Sequence, residues 1–169
     1  RCKSTTTNEA LLGELGWWRL ATRRDQIRLN YWNKILNMDD TRLTKKIYRE
    51  SRRRLEESKE KNWCSYTEKL VKKYNLHQFW IDNIPINPTT WKDIIQHRIH
   101  KTEELDWQTR MSKKPKLRTY IKLKRTLSRE PYLLEESNQK GRTLLTALRS
   151  GSNDLRIDTG RGEWTHREG

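Results

Sequence analysis

Cysteine is nearly missing from this chain: Cys2 and Cys64 are the two copies in 169 residues. A disulfide framework is therefore not implied, and the composition suits a reducing compartment, in the nucleus or the cytoplasm. No run approaches the ~18–20 consecutive apolar residues that a membrane-spanning helix needs. No charged-then-apolar secretion signal stands near Arg1 either. No membrane partner is expected. Metal ligands are equally sparse. His77, His97, His100 and His166 are scattered and the cysteines lie far apart, so no zinc spacing is met. His97, His100 and Glu104 would share a helical face, which an ordinary exposed polar face explains. There is no Gly-rich phosphate loop and no nucleophile elbow. Asp39-Asp40 lacks the tight turn between buried strands that the metal-binding aspartates of polymerases need, and reads as helix capping instead. From these patterns we expect no catalytic residue, no metal and no cofactor.

Apolar residues are also scarce, at 32% against 35% charged. Few apolar side chains with high net charge is the composition of disorder. Eight Trp and six Tyr argue the other way. Each buried aromatic removes a large area from water, so a few can hold a sparse core together. The expectation is a folded chain with a core rich in Trp. Acid is short as well: 37 Lys and Arg face 22 Asp and Glu, a net charge of +15. A compact body with that excess repels itself unless a polyanion supplies the missing charge, and nucleic acid is the commonest such partner.

Periodicity predicts an all-α fold of six or seven irregularly packed helices, in one body or in two lobes. Residues 1–7 read as a frayed, disordered end. Asn8 caps a helix with Ala10, Leu11, Leu12 and Leu15 that closes near Gly16. Ile27, Tyr31, Ile35 and Met38 mark a second, from about Thr22. Asp39 or Asp40 caps a third with Leu43, Ile47, Tyr48 and Leu55. A fourth runs from about Lys61 to Tyr74, with Trp63, Tyr66, Leu70, Val71 and Tyr74 on one face. Two prolines and two asparagines interrupt 81–90, which reads as a linker between a lobe at 8–80 and a basic lobe at 91–151. Thr89 or Thr90 caps the next helix, carrying Trp91, Ile94, Ile95 and Ile99 towards Trp107. Pro115 starts another with Leu117, Tyr120, Ile121 and Leu127. The last carries Leu144, Leu145 and Leu148 and ends at Gly151. The tail, 152–169, is irregular apart from a short strand at Leu155-Arg156-Ile157. No internal repeat is visible.

Arg110 to Arg129 holds nine Lys or Arg and no acid. On a helix, Arg118, Lys122, Arg125 and Arg129 form one narrow stripe, with Leu117, Tyr120, Ile121, Leu123 and Leu127 spread over the other side. Cations without local partners disfavour one another, and a phosphate backbone relieves that repulsion while releasing counterions. Lys113, Lys114, Lys116 and Lys124 join the stripe as candidate phosphate contacts. The bland alternative is a solvated face, or one paired with acids elsewhere. A second run, Arg42 to Lys61, is diluted by Glu56, Glu57 and Glu60; Arg52–Glu56 and Arg53–Glu57 sit at ion-pair spacing. Lys45, Lys46 and Arg49 remain candidates there. Trp17, Trp18 and Trp164 could stack on unpaired bases, whereas Trp32, Trp63, Trp80, Trp91 and Trp107 are assigned to packing.

Several blocks resemble a known family. Ala10-Leu-Leu-Gly-Glu-Leu-Gly-Trp17, Arg23-Arg24 and Arg28-Leu-Asn-Tyr-Trp-Asn-Lys-Ile-Leu-Asn-Met38 are similar to the segment after the polymerase domain in non-LTR (LINE-type) retrotransposon polyproteins of animals. Lys61-Asn-Trp-Cys64, Leu117-Arg-Thr-Tyr-Ile-Lys-Leu-Lys124, Glu130-Pro-Tyr-Leu-Leu134 and the run from Leu148 to Arg161 follow in the same order. The blocks cover roughly half the chain. The resemblance implies a parent with endonuclease and reverse-transcriptase domains upstream, and a region that helps to hold template RNA or target DNA. It carries no catalytic residue onto this chain. The start at Arg1 and the stop at Gly169 read as the ends of a piece cut from something longer. Two other functions remain open: a module docking its basic face on an acidic protein, such as the upstream polymerase, or a transposon remnant without function.

Overall fold

Thr7 caps the first helix: its hydroxyl accepts from the Ala10 amide (3.4 Å), so helix α1 spans Asn8–Leu15. Its end is set by Gly16, whose φ of +62° is the left-handed conformation that closes helices. Seven more helices follow: α2 Leu20–Leu36, α3 Leu43–Ser58, α4 Trp63–Lys73, α5 His77–Asp82, α6 Pro88–Ser112, α7 Arg118–Leu123 and α8 Gln139–Arg149. The computed structural model describes residues 6–134 and 139–150. Among them there is no strand, only one isolated antiparallel bridge, Leu15 to Arg129. The described residues are all-α, with eight helices where periodicity indicated six or seven. The addition is α5, whose six residues are too few to display a period. The expected strand at 155–157, the irregular tail and Trp164 lie outside the described residues, as do 1–5 and Gly151.

Packing separates two compact units, and the boundary is not at 81–90. One, the central unit, is Arg19–Glu103; the other, the terminal unit, comprises the described residues of 1–18 and 104–150. The expected linker is instead built into the central unit. The Asn33 side chain donates to the Ile86 carbonyl (2.9 Å) and accepts from the Ile86 amide (3.1 Å), and Asn37 donates to the same carbonyl (3.0 Å). Two side-chain amides, on α2 and at its C-terminal cap, thus satisfy a proline-flanked backbone that has no helical partners of its own. Pro88 then occupies the first position of α6, where its missing N–H costs nothing. The cap there is Asn87, which accepts from Thr89 (2.9 Å), in place of Thr89 or Thr90.

The central core is aromatic. Trp32 lies 5.5 Å from both Trp80 and Trp91, and Phe79 meets Trp91 edge-on at 5.6 Å. Each buried indole N–H that needs an acceptor finds one: Trp32 donates to the Tyr48 hydroxyl (3.1 Å) and Trp91 to the Leu29 carbonyl (3.2 Å). A fully buried Trp removes roughly 150–250 Å² from water, on the order of 4–6 kcal/mol before entropy is set against it. That is how so little apolar material closes a core. α2 turns inward only part of the face expected: Ile35 is buried and Met38, just past its end, half-buried, as periodicity placed them, but the rest of the buried face is different. Leu29, Trp32, Asn33 and Leu36 are buried, while Ile27 and Tyr31 are exposed by 68% and 44%. Both sets satisfy helical spacing, and the larger payload of Trp32 decides between them. Tyr66 on α4, and Leu43 and Ile47 on α3, likewise face out although periodicity placed them in the core.

The terminal core gathers Ala10, Trp107, Met111, Leu117, Tyr120 and Leu127, with Trp18 and Ile121 packed against it. Trp107 donates to the Glu9 carbonyl (2.8 Å) and the Tyr120 hydroxyl to that of Ala10 (3.2 Å). Helix α8 docks here through polar groups, not through its leucines. Arg149 reaches Glu14 (3.1 Å) and Glu130 (2.9 Å), and Thr146 bonds the Tyr132 hydroxyl (3.0 Å). Leu144, Leu145 and Leu148 are consequently exposed, contrary to the apolar assignment. No helix of the described residues is long and apolar enough to cross a membrane.

Candidate nucleic-acid interface

The basic segment does not form the single helix that its spacing suggested. A 3-10 turn at Pro115–Leu117 leads into α7, which stops at Leu123; Lys124 is extended (φ −123°, ψ 107°) and the chain to Glu130 is irregular. The cause is tertiary. Gln108 on α6 donates to the Arg125 carbonyl (2.8 Å), and Glu104 accepts from the Leu127 amide (2.9 Å). These backbone groups have found partners that a helix would have supplied. Lys124 turns inward, is 2% exposed, and binds the Ser128 carbonyl (2.6 Å) and the Glu130 carboxylate. The four-residue stripe is therefore overturned: Arg118 and Lys122 share a face of α7, while Arg125 and Arg129 lie beyond it.

Two candidates in this segment are withdrawn with it. Lys124 is buried and paired. Lys114 is ion-paired to Glu9, a partner 105 residues away that no local spacing could reveal. Burial works against the ionised form of Glu9, yet the hydrogen bond from Lys114 and the charges of Lys114 and Arg110 hold its carboxyl below the ordinary carboxylate value. Lys113, Lys116, Arg118, Lys122, Arg125 and Arg129 are all exposed. Lys113, Arg118, Lys122, Arg125 and Arg129 form no ion pair among the described residues.

Among the described residues of the terminal unit, the carboxylates are engaged elsewhere. Glu9 serves Lys114, Glu14 takes Arg149 and the Tyr132 hydroxyl, Glu104 holds the Leu127 amide, and Glu130 takes Lys124 and Arg149. Asp106, the fifth acid among its described residues, is engaged as well. These five acids are buried or half-buried, and Lys113, Lys116, Arg118, Lys122, Arg125 and Arg129 lie outward.

On α3 the expected local pairing is present: Arg52–Glu56 at 2.9 Å and Arg53–Glu57 at 2.5 Å. Hydrogen bonds from Arg53 and Arg54 pull the Glu50 carboxyl down to about 2. Arg49 pairs with Asp40 at 2.6 Å. Asp39 folds back on Thr41, accepting from its amide (2.8 Å), so neither aspartate caps α3 directly. Lys46 is exposed. Lys45, also a candidate phosphate contact, is buried and donates to the Leu36 (2.5 Å) and Met38 (3.3 Å) carbonyls. It neutralises the carbonyl end of α2, where a cation is favoured, and cannot reach a ligand. Lys45→Met is accordingly expected to lower unfolding free energy by about 1–3 kcal/mol while leaving nucleic-acid affinity within twofold, checked by urea denaturation and by titration.

Trp17 is 53% exposed, whereas Trp18 is partly buried against the terminal core, which removes Trp18 from the stacking candidates. Cys64 is buried, and burial pushes its thiol up to about 11, so it stays protonated at neutral pH. No group of His, Cys, Asp and Glu among the described residues could hold a metal ion. Exposed cations outside the two basic runs, Arg24, Arg28 and Lys69 among them, escaped sequence reasoning. The available signal was the single acid in the seventeen residues of α2. Comparison of the chain with protein-family models, with curated proteins and with solved structures gives no match.

Proposed function

We propose that this chain holds RNA or DNA by its phosphates, chiefly through Lys113, Arg118, Lys122, Arg125 and Arg129 with Lys116 beside them, and carries out no catalysis of its own. In this reading it is an accessory piece of a non-LTR retrotransposon polyprotein, lying after the polymerase. One observation supports the binding most: Lys113, Arg118, Lys122, Arg125 and Arg129 face solvent while the carboxylates among the described residues of the same unit are already engaged. Such an uncompensated surface is stabilised by a polyanion through release of condensed counterions. The cations come from a turn, a short helix and an irregular strand of chain, not one groove-sized element, so phosphate contact is expected to dominate over base readout.

Titration of a labelled RNA and a labelled DNA duplex at two salt concentrations tests this. Five phosphate contacts predict a log–log slope of about −4, so affinity falls roughly two hundredfold between 50 and 200 mM salt. A flat slope, or no retention of either nucleic acid, defeats the proposal. The latter result favours docking on an acidic protein.

A further inference from the structure

Helices α2 and α4 of the central unit run antiparallel. Asp25 meets Lys73 and the Tyr74 hydroxyl, both at 2.8 Å, and Tyr31 meets Trp63 edge-on at 6.1 Å. Arg28 and Lys69 therefore fall between these two contacts, on neighbouring helices. The outer face of the pair carries Arg24, Arg28 and Lys69, together with Ile27, Tyr31 and Tyr66, all exposed. Its acids are consumed: Asp25 by Lys73 and Tyr74, Glu68 by Lys72 at 2.6 Å. Lys69 sits over the Tyr66 ring at 5.7 Å, so cation and aromatic share one patch.

A solvated polar face explains exposed Arg and Lys, but not two half-exposed tyrosines and an isoleucine among them. We propose that this face takes a single strand of nucleic acid, its phosphates on Arg24, Arg28 and Lys69 and its unpaired bases stacked on Tyr31 and Tyr66. The chemistry favours a single strand because a duplex offers phosphates to the cations but hides its base faces from the rings. The seven-residue spacing of Arg24 and Tyr31 covers about 10 Å along α2, enough for one or two nucleotides of an extended strand. This inference rests on the phosphate-binding reading above and adds to it a second surface and a strand preference.

The test uses the full chain with an oligothymidylate of about twelve nucleotides and a hairpin duplex of similar phosphate number. Tyr31→Ala with Tyr66→Ala should weaken oligothymidylate binding about twenty-fivefold or more, at a stacking loss of at least about fivefold per ring. Hairpin affinity should change less than twofold, and Tyr31→Phe with Tyr66→Phe should retain single-strand binding. Should the double alanine variant lose its helical circular dichroism, Y66A alone decides, with a loss of about fivefold expected. Unchanged oligothymidylate binding, or equal loss on both probes, overturns the stacking face and leaves the phosphate reading standing. A wild-type chain that retains neither probe removes both.

Discussion

With Arg118, Lys122 and Arg125 changed together to Glu, nucleic-acid affinity at moderate salt is expected to fall on the order of a hundred- to a thousandfold, and the salt slope to shrink by roughly 2 to 3. Three exposed cations are lost and three repulsive charges put in their place, in a unit whose described carboxylates are already engaged. The side chains are solvent-facing, so folding should survive. The informative control is Lys92→Glu, Arg98→Glu and Lys101→Glu, three exposed positions on α6 in the central unit. Both variants carry the same net charge. If binding followed the overall +15 and not a place on the surface, the two would weaken alike. Equal losses would sink the assignment to this segment, and no loss in the first variant would sink it outright.

Gly16→Ala should destabilise the chain by about 3 kcal/mol or more. Two separate penalties meet at this position. An alanine must hold the left-handed conformation that glycine adopts freely. Its Cβ would also lie 2.4 Å from the Arg129 amide nitrogen and 2.7 Å from the Ser128 carbonyl carbon, both main-chain atoms that cannot rotate away. Relief requires moving the segment whose Glu130 amide bonds the Glu14 carbonyl (3.0 Å) and whose Glu130 carboxylate holds Lys124 and Arg149. The loss should appear as a drop in Tm of roughly 6–12 °C by circular dichroism. A drop of only a degree or two would mean that α1 is not seated against 128–130 as described.

Gly16 also marks how far a sequence reading reaches. That a helix ends there is legible, since glycine after an apolar run is a local stop signal. That Gly16 must stay small because the chain returns over it at Ser128 and Arg129 is not, because nothing near residue 16 encodes residue 129. The same division runs through the candidate site. A shortage of acid between Arg110 and Arg129 is a local property and survives folding as an exposed cluster of cations. The stripe on one helix did not survive. Helical spacing assumes that backbone groups pair within the segment, and here Gln108 and Glu104 pair them from α6 instead. Lys45 and Lys124 failed for a related reason: a lysine's reach lets it turn inward wherever carbonyls or a carboxylate await it, and only the folded chain shows where they are.

By itself the amino-acid order determined that this protein is helical, that tryptophan holds its core, and that it carries far more positive charge than it can neutralise. Those properties are sums or short-range periods, readable without knowing what touches what. The fold alone decided which apolar stripe of α2 turned inward, that the leucines of α8 turned outward, and which cations were left facing water. Each of those outcomes depends on a competition for partners distant in sequence, settled by burial and by geometry.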